Sequence, residues 1–256
     1  MNLTNPVKET IKIYAKHLKT PTFSHYDEIV RQLAPEEGYE HFLCKLLKQE
    51  IDGRQDNLQK RKIKAAKFPF SKTFDEFDLC KLEHVSEGYV RELSTCDFVK
   101  NRQNIVMIGN SGSGKTHLSI ALGLRACHAG MNVRFYTASN LVNDLSEALE
   151  FKRLSKLEKS LAKVELLILD ELSYLTFNRH QSELLFQVIS ERSERSSVIV
   201  TTNLEFSNWT QIFENEIMVA AMIDRLTFKS HILNMNVKDS YRLQQTRFGG
   251  RKDGNA

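Results

Sequence analysis

Cysteine is scarce in this chain. The four that occur, Cys44, Cys80, Cys96 and Cys127, are scattered through 256 residues with no C-x-x-C spacing, which argues against both a zinc site and a disulfide framework. Long apolar runs are missing too, and the N-terminus mixes charged and apolar residues without a signal-peptide core. Neither a membrane span nor export is therefore expected, and the expectation is a soluble cytoplasmic protein with reduced thiols. No internal repeat or low-complexity segment stands out. Nor is there a large excess of one charge: 36 Lys and Arg against 32 Asp and Glu leave +4, which permits a nucleic-acid partner without requiring one. With 41% hydrophobic residues, the chain is long enough to bury the core of one main domain and a smaller one.

What is present is a phosphate-binding signal. In IVMIGNSGSGKTHLS, residues 105–119, an apolar run leads into a glycine-rich loop and then a helix-like pattern of Leu118, Leu122 and Ala126. The spacing of Gly109, Gly112, Gly114, Lys115 and Thr116 fits G-x-x-x-x-G-K-[ST], in which backbone N–H groups surround phosphates at a helix N-terminus. Gly109, Asn110, Ser111, Gly112, Ser113, Gly114, Lys115, Thr116 and His117 are the expected nucleotide contacts. Lys115 would reach the terminal phosphates, and the Thr116 hydroxyl would be a ligand to Mg²⁺.

The segment AKFPFSKTF, residues 66–74, divides an all-helical start from an alternating remainder. Before it, Asn5-Pro6 begins a predicted helix with Val7, Ile11, Tyr14 and Leu18 on one face; Ser24 and Asp27 open a second bearing Ile29, Val30 and Leu33. A third, from about Pro35, carries Tyr39, Phe42, Leu43, Leu46 and Leu47. After it, predicted strands at 132–138, 164–170 and 197–203 alternate with helices opening near Ser139 and spanning 179–194. The pattern predicts an α/β fold with a parallel sheet, organised as a helical N-terminal domain over 1–67, a nucleotide-binding domain over 68–246 and a basic tail over 247–256.

Ligands of such folds sit at the carboxyl ends of the strands. Asp170 and Glu171 follow the run Leu166 to Leu169; an acid there can hold Mg²⁺, and an adjacent glutamate can accept a proton from the water attacking a γ-phosphate. Asn203, after Thr201 and Thr202, suits the γ-phosphate or that water. Arg225 and Arg242 are each able to stabilise charge developing in phosphoryl transfer, or to form surface salt bridges. Two basic clusters, Arg54, Lys60, Arg61, Lys62, Lys64 and Lys67, then Lys152, Arg153, Lys156, Lys159 and Lys163, are either phosphate contacts to DNA or solvated helix faces.

Taken in order and spacing, GNSGSGKTH, LLILDEL, the F-x-x-I-x-x-R stretch ending at Arg192, IVTTNLEFSNW, MIDRL and DSYRL resemble the IstB-type helper ATPases of insertion sequences, AAA+ relatives of the helicase loader DnaC. The resemblance runs from about Tyr39 to Arg242. It implies an AAA+ P-loop core of three layers, with Lys115 and Thr116 in Walker A, Asp170 and Glu171 in Walker B, and Asn203 as sensor 1. Arg225 would be the finger acting on the next subunit's ATP, and Arg242 falls where related loaders have sensor 2. Only a short basic tail follows Arg242, so no helical lid domain is expected. The implied activity is ATP hydrolysis with Mg²⁺ by a homo-oligomer holding ATP at its subunit interfaces on double-stranded DNA. The implied partner is a cognate transposase, helped to engage target DNA in a bacterial cytoplasm, with the oligomer nucleoid-associated while on DNA. A helicase loader shares the same core and is the alternative; a small-molecule kinase would need an acceptor pocket that no motif supplies.

Overall fold

The computed structural model describes residues 6–34, 36–77, 84–173 and 176–237. The chain divides into two compact units, Met1–Arg61 and Lys62–Ala256.

The first unit is helical. Helix α1 (Pro6–Leu18) starts on a proline, whose missing N–H costs nothing in a first turn, and carries Glu9 early and Lys16 and His17 late, complementing the helix dipole. A tight 3₁₀ turn over Pro21–His25 leads into the short α2 (Tyr26–Val30), and α3 runs from Tyr39 to Ala66. Two expectations change here. The second helix stops at Val30, before Leu33, and the third starts at Tyr39 rather than near Pro35. The apolar face of α1 is largely uncovered: Val7, Tyr14 and Leu18 are exposed, Ile11 is half-buried and only Ala15 is buried. So small a unit has too much surface for its volume to enclose every apolar side chain.

In the second unit, the end of α3 is followed by α4 (Glu87–Leu93) and α5 (Asp97–Lys100). Strands and helices then alternate: β1 (Asn104–Ile108), α6 (Lys115–His128), β2 (Val133–Thr137), α7 (Ala138–Glu150), α8 (Leu154–Leu161), β3 (Leu166–Asp170), α9 (Arg179–Arg192), β4 (Ser197–Thr202), α10 (Glu216–Thr227) and β5 (Ser230–Asn234). All paired strands are parallel, in the order β2-β3-β4-β1-β5. Parallel neighbours need a crossover between them, which the helices supply. The edge strand β5 had no sequence signal of its own; Ser230, His231 and Asn234 dilute its two apolar residues, and it is the least buried strand.

Because successive side chains on a strand point to opposite faces, the sheet sorts its residues into two cores. Ile105, Met107, Leu166, Ile168 and Ile199 face one layer with Leu118, Leu122 and Phe98. Val106, Ile108, Leu167, Leu169, Val198 and Val200 face the other, against Leu141, Leu145, Leu185 and Trp209. The result is the expected three-layer α/β architecture. Both faces of β1, β3 and β4 are covered, which is why these strands are uniform apolar runs rather than alternating ones.

Candidate nucleotide site

The loop after β1 lies where two rigid elements meet. Gly109 N–H donates to Thr202 O at 3.2 Å, joining the loop to β4. A Cβ on Gly109 would come within 2.6 Å of the Met235 backbone, so the close approach of the chain after β5 requires glycine. Asn110 extends that anchor: its N–H donates to Asn236 Oδ1 at 2.9 Å and its side-chain amide to Val237 O at 2.6 Å. Gly114 has φ +91°, the left-handed region, and ends the loop directly before α6. The positive end of that helix then faces the loop.

Lys115 turns back along the loop, its Nζ donating to Gly109 O at 2.6 Å and Asn110 O at 2.8 Å. Thr116 Oγ1 donates to the Asp170 carboxylate at 2.9 and 3.0 Å. Thr201 Oγ1 also donates to Asp170, at 2.5 Å, while accepting the Glu171 N–H at 2.9 Å. Parallel pairing of β3 with β4 brings the ends of those strands level, and Thr201 uses that to fix both acids at once. Glu171 itself has φ +59°, an uncommon backbone state for a side-chain-bearing residue and one that recurs at functional sites. Asn203 N–H donates to Ser173 Oγ at 3.0 Å.

Lys115, Thr116, Asp170, Glu171, Thr201 and Asn203 line one cleft of about 740 Å³, together with Thr137, Asn140 and Asp144 from the end of β2 and the start of α7. The expected contacts Gly109 and Asn110 are not in the lining and face the chain after β5. The cleft is large enough for a nucleotide. The donor set fits ATP with Mg²⁺: a glycine-walled anion loop, the loop lysine Lys115, and a hydroxyl and carboxylate whose oxygens suit a hard cation. Ser111, Gly112, Ser113, His117, Asp170 and Glu171 are all in the lining. So Lys115, Thr116, Asp170, Glu171 and Asn203, separated by up to 88 positions in sequence, come together at three adjacent strand ends.

The sequence did not single out Thr201 or the segment after α3. Thr201 lay within a strand run, and only the β3–β4 register exposes its role. Pro69, Phe70, Lys72 and Glu76 line the cleft. Thr73 O meets His117 Nε2 at 2.8 Å, and Phe77 meets the His117 ring edge-on at 4.9 Å.

The other expected residues lie elsewhere. Arg225 is not in the cleft lining; its guanidinium covers the Phe186 ring at 5.0 Å. Its carbonyl and that of Leu226 accept from Asn104 Nδ2 at 3.3 and 3.1 Å. Asn104 begins β1, whereas the loop follows the end of that strand, so Arg225's backbone is held at one end of the strand and Gly109 lies about 16 Å of strand rise from Asn104 at the other. Arg242 and the tail lie outside the described residues. Arg192, which ended one of the motifs, is a structural clamp: its buried guanidinium donates to Leu161 O at 3.0 Å, Val164 O at 2.9 Å and Ser197 O at 3.2 Å, and burial pulls its pKa down to about 10.

Of the basic residues, Lys60, Arg61 and Lys64 are exposed on α3, and Lys152, Arg153 and Lys156 are exposed around the start of α8. Three others are engaged. Arg54 pairs with Glu50 at 2.7 Å and donates to Lys19 O at 2.8 Å. Lys62 bonds Gly130 O and, at 3.2 Å, Asn132 Oδ1. Lys67 lines the nucleotide cleft. No described helix is long and apolar enough to cross a membrane.

A five-stranded parallel sheet with this strand order, a glycine-rich loop after β1 and an acid pair after β3 defines an AAA+ P-loop protein. Solved structures agree on the fold. DnaA from Aquifex aeolicus, in its AMPPCP-bound form, aligns with a TM-score of 0.55 and 17% identity over 71% of this chain and 55% of that one. DnaI aligns with a TM-score of 0.52 and 17% identity over 65% of this chain and 91% of that one.

The chain belongs to the family of IstB-like ATP binding proteins, whose profile matches residues 15–248. It is similar to the putative ATP-binding protein of insertion sequence IS21 from Pseudomonas aeruginosa, 35% identical over 94% of this chain and 91% of that protein. It is also 36% identical to the corresponding protein of IS5376 from Geobacillus stearothermophilus, over 94% of this chain and 96% of that one.

Proposed function

We propose that this protein is an ATP-hydrolysing regulator that assembles on double-stranded DNA and helps the transposase of its insertion sequence engage target DNA. The observation that carries the assembly is the distance between Arg225 and its own cleft. The Arg225 backbone is bonded at the Asn104 end of β1, and the strand rises roughly 16 Å from Asn104 to Gly109 at the other end, more than an arginine side chain reaches. The cleft's described lining includes no arginine, while phosphoryl transfer gains from a cation on the charge that develops at the γ-phosphate. A second copy supplying Arg225 would complete the site.

In this reading Lys115 and the loop N–H groups hold the triphosphate, and Thr116 with Asp170 holds Mg²⁺, which neutralises phosphate charge when bound. Glu171 takes the proton of the attacking water, and Asn203 orients that water or the γ-phosphate. ATP between two copies stabilises the assembly by mass action, and loss of the γ-phosphate removes the bridge to Arg225. Hydrolysis thus limits the lifetime of a DNA-bound oligomer. The names of the insertion-sequence relatives support the transposition context, and the exposed cations of α3 and α8 supply phosphate contacts.

The test is complementation by mixing. Lys115→Ala and Arg225→Ala should each lack ATPase activity on duplex DNA, and an equal mixture should recover part of it, because intact loops then meet intact arginines. Full activity of Arg225→Ala alone would refute the shared site. Light scattering on Glu171→Gln with duplex, in ATP and then ADP, should give a large species only in ATP; a monomer in both would refute assembly.

A further inference from the structure

The corner between α7 and α8 has features that a solvated lysine helix would not need. Helix α7 ends in a Schellman turn: Lys152 N–H donates to Leu149 O at 3.0 Å and Arg153 N–H to Ala148 O at 2.6 Å. The residue in the left-handed position is Lys152, with φ 56°, where glycine is the usual choice. The turn leaves two apolar side chains in solvent, Phe151 at 60% exposure and Leu149 at 40%. Arg153 lies over the Phe151 ring at 5.8 Å.

On the C-terminal side of this tip the charge is one-sided, while Glu147 and Glu150 are exposed on the α7 side. Residues 151–163 carry Lys152, Arg153, Lys156, Lys159 and Lys163 against the single acid Glu158, and Glu158 accepts from Gln187 at 3.0 Å. None of the five cations forms an ion pair among the described residues. Helix α8 sorts its faces so that Leu154, Leu157 and Leu161 pack into the core, while Lys156 and Lys159 remain exposed. A lipid surface would need an apolar helix face, and α8 has already buried its own. A protruding ring with cations that form no ion pair along its α8 side fits a polyanion with stacked flat groups inside, in which apolar wedges enter between base steps while Lys and Arg contact the phosphates on that side.

We infer that Phe151 is a wedge that inserts between base pairs of duplex DNA, positioned by phosphate contacts from Lys152, Arg153, Lys156 and Lys159. The inference rests on the DNA-binding reading above and adds to it the element that distorts the duplex.

The experiment uses the full chain with ATP and duplexes carrying 2-aminopurine, whose fluorescence rises when it is unstacked, over a salt titration. Wild type should raise the fluorescence. Phe151→Ala should abolish that rise and weaken binding about tenfold with the salt dependence unchanged, and Phe151→Trp should restore both. Lys156→Ala with Lys159→Ala should instead flatten the salt dependence by about one unit of slope for each phosphate no longer neutralised. If Phe151→Ala binds and unstacks the duplex as wild type does, the wedge is wrong and the DNA-binding reading stands. Binding without any fluorescence rise in wild type would also overturn the wedge alone. Failure of the wild-type chain to bind duplex at low salt would remove the DNA-binding reading and the wedge with it.

Discussion

In the nucleotide-binding unit every residue of β1, β3 and β4 is buried, whereas α1 buries only Ala15 and the first half of α3 only Leu46 and Glu50. The first unit relies on polar links where the second relies on packing. Glu50 accepts from the Thr22 N–H at 3.1 Å and pairs with Arg54, Lys8 meets Asp27 at 2.8 Å, and Lys45 meets Glu37 at 2.6 Å. The contrast matches the demands on each part. Groups that must surround a triphosphate need the fixed spacing that a packed sheet gives to its strand ends, because small displacements there cost catalysis. A unit with exposed apolar side chains and few buried ones has low local stability, and opens more readily.

The comparison breaks most visibly in the core. Leu167→Ala, in the middle of β3, should cost about 2–5 kcal/mol of unfolding free energy, while Tyr39→Ala, at a fully exposed position, should change it by less than about 0.5 kcal/mol. Denaturant titration followed by circular dichroism would measure both, and equal effects would erase the distinction between the units. At the site, Lys115→Ala should weaken ATP binding on the order of a hundredfold with little change in melting, since charged hydrogen bonds to phosphate are removed without opening the core. Binding of a fluorescent ATP analogue is the readout.

The first unit should also be the more acid-sensitive one, although Asp97 of the second unit is held low as well, by the hydrogen bond from Lys100. Three of its carboxyls are held below their ordinary values: Asp27 by the hydrogen bond from Lys8, Glu37 by that from Lys45, and Glu50 because Arg54 and Thr22 outweigh a burial effect that would raise it. A carboxyl depressed in the folded state contributes stability above its unfolded pKa and loses it as the pH falls through the folded one. As pH drops below the ordinary values of 3.8 and 4.5, residues 6–61 should therefore gain amide exchange before the central strands do. Glu50→Gln should bring that opening to neutral pH; simultaneous loss of both units would contradict it. The smallest effect concerns the basic run. Neutralising Lys60, Arg61 and Lys64 should reduce the salt slope of DNA binding by at most about one per residue without altering stability. Lys62→Ala should do the opposite, lowering stability by removing the hydrogen bonds to Gly130 and Asn132 while leaving the slope nearly as it was.

Much of the candidate site was legible in advance, in that the residues named for it sit at fixed places in strong local patterns that the fold brings together. Gly109 to Thr116 follow an apolar strand, Asp170 and Glu171 end another, and Asn203 ends a third. Their neighbours were not legible. Thr201 looks like any strand threonine until β3 and β4 pair in register, and the contact of Thr73 with His117 spans 44 positions. In the first unit the apolar periodicity of α1 correctly marked a helix, yet Val7, Tyr14 and Leu18 stay exposed, since periodicity reports helical geometry and says nothing about what is available to cover a face.

Local sequence alone thus determined most of the element types, the glycine-rich loop and the family, because turn chemistry, periodicity and strand-end acids act over a few residues. Tertiary structure decided the rest. It levelled three strand ends so that Thr116 and Thr201 share Asp170. It set Arg225 at the far end of β1 from the loop, and it tied up Lys62 and Arg54 while leaving Phe151 and its cations in solvent. Those outcomes depend on which distant backbones become neighbours, a property of the packed sheet and its register that no short stretch of chain contains.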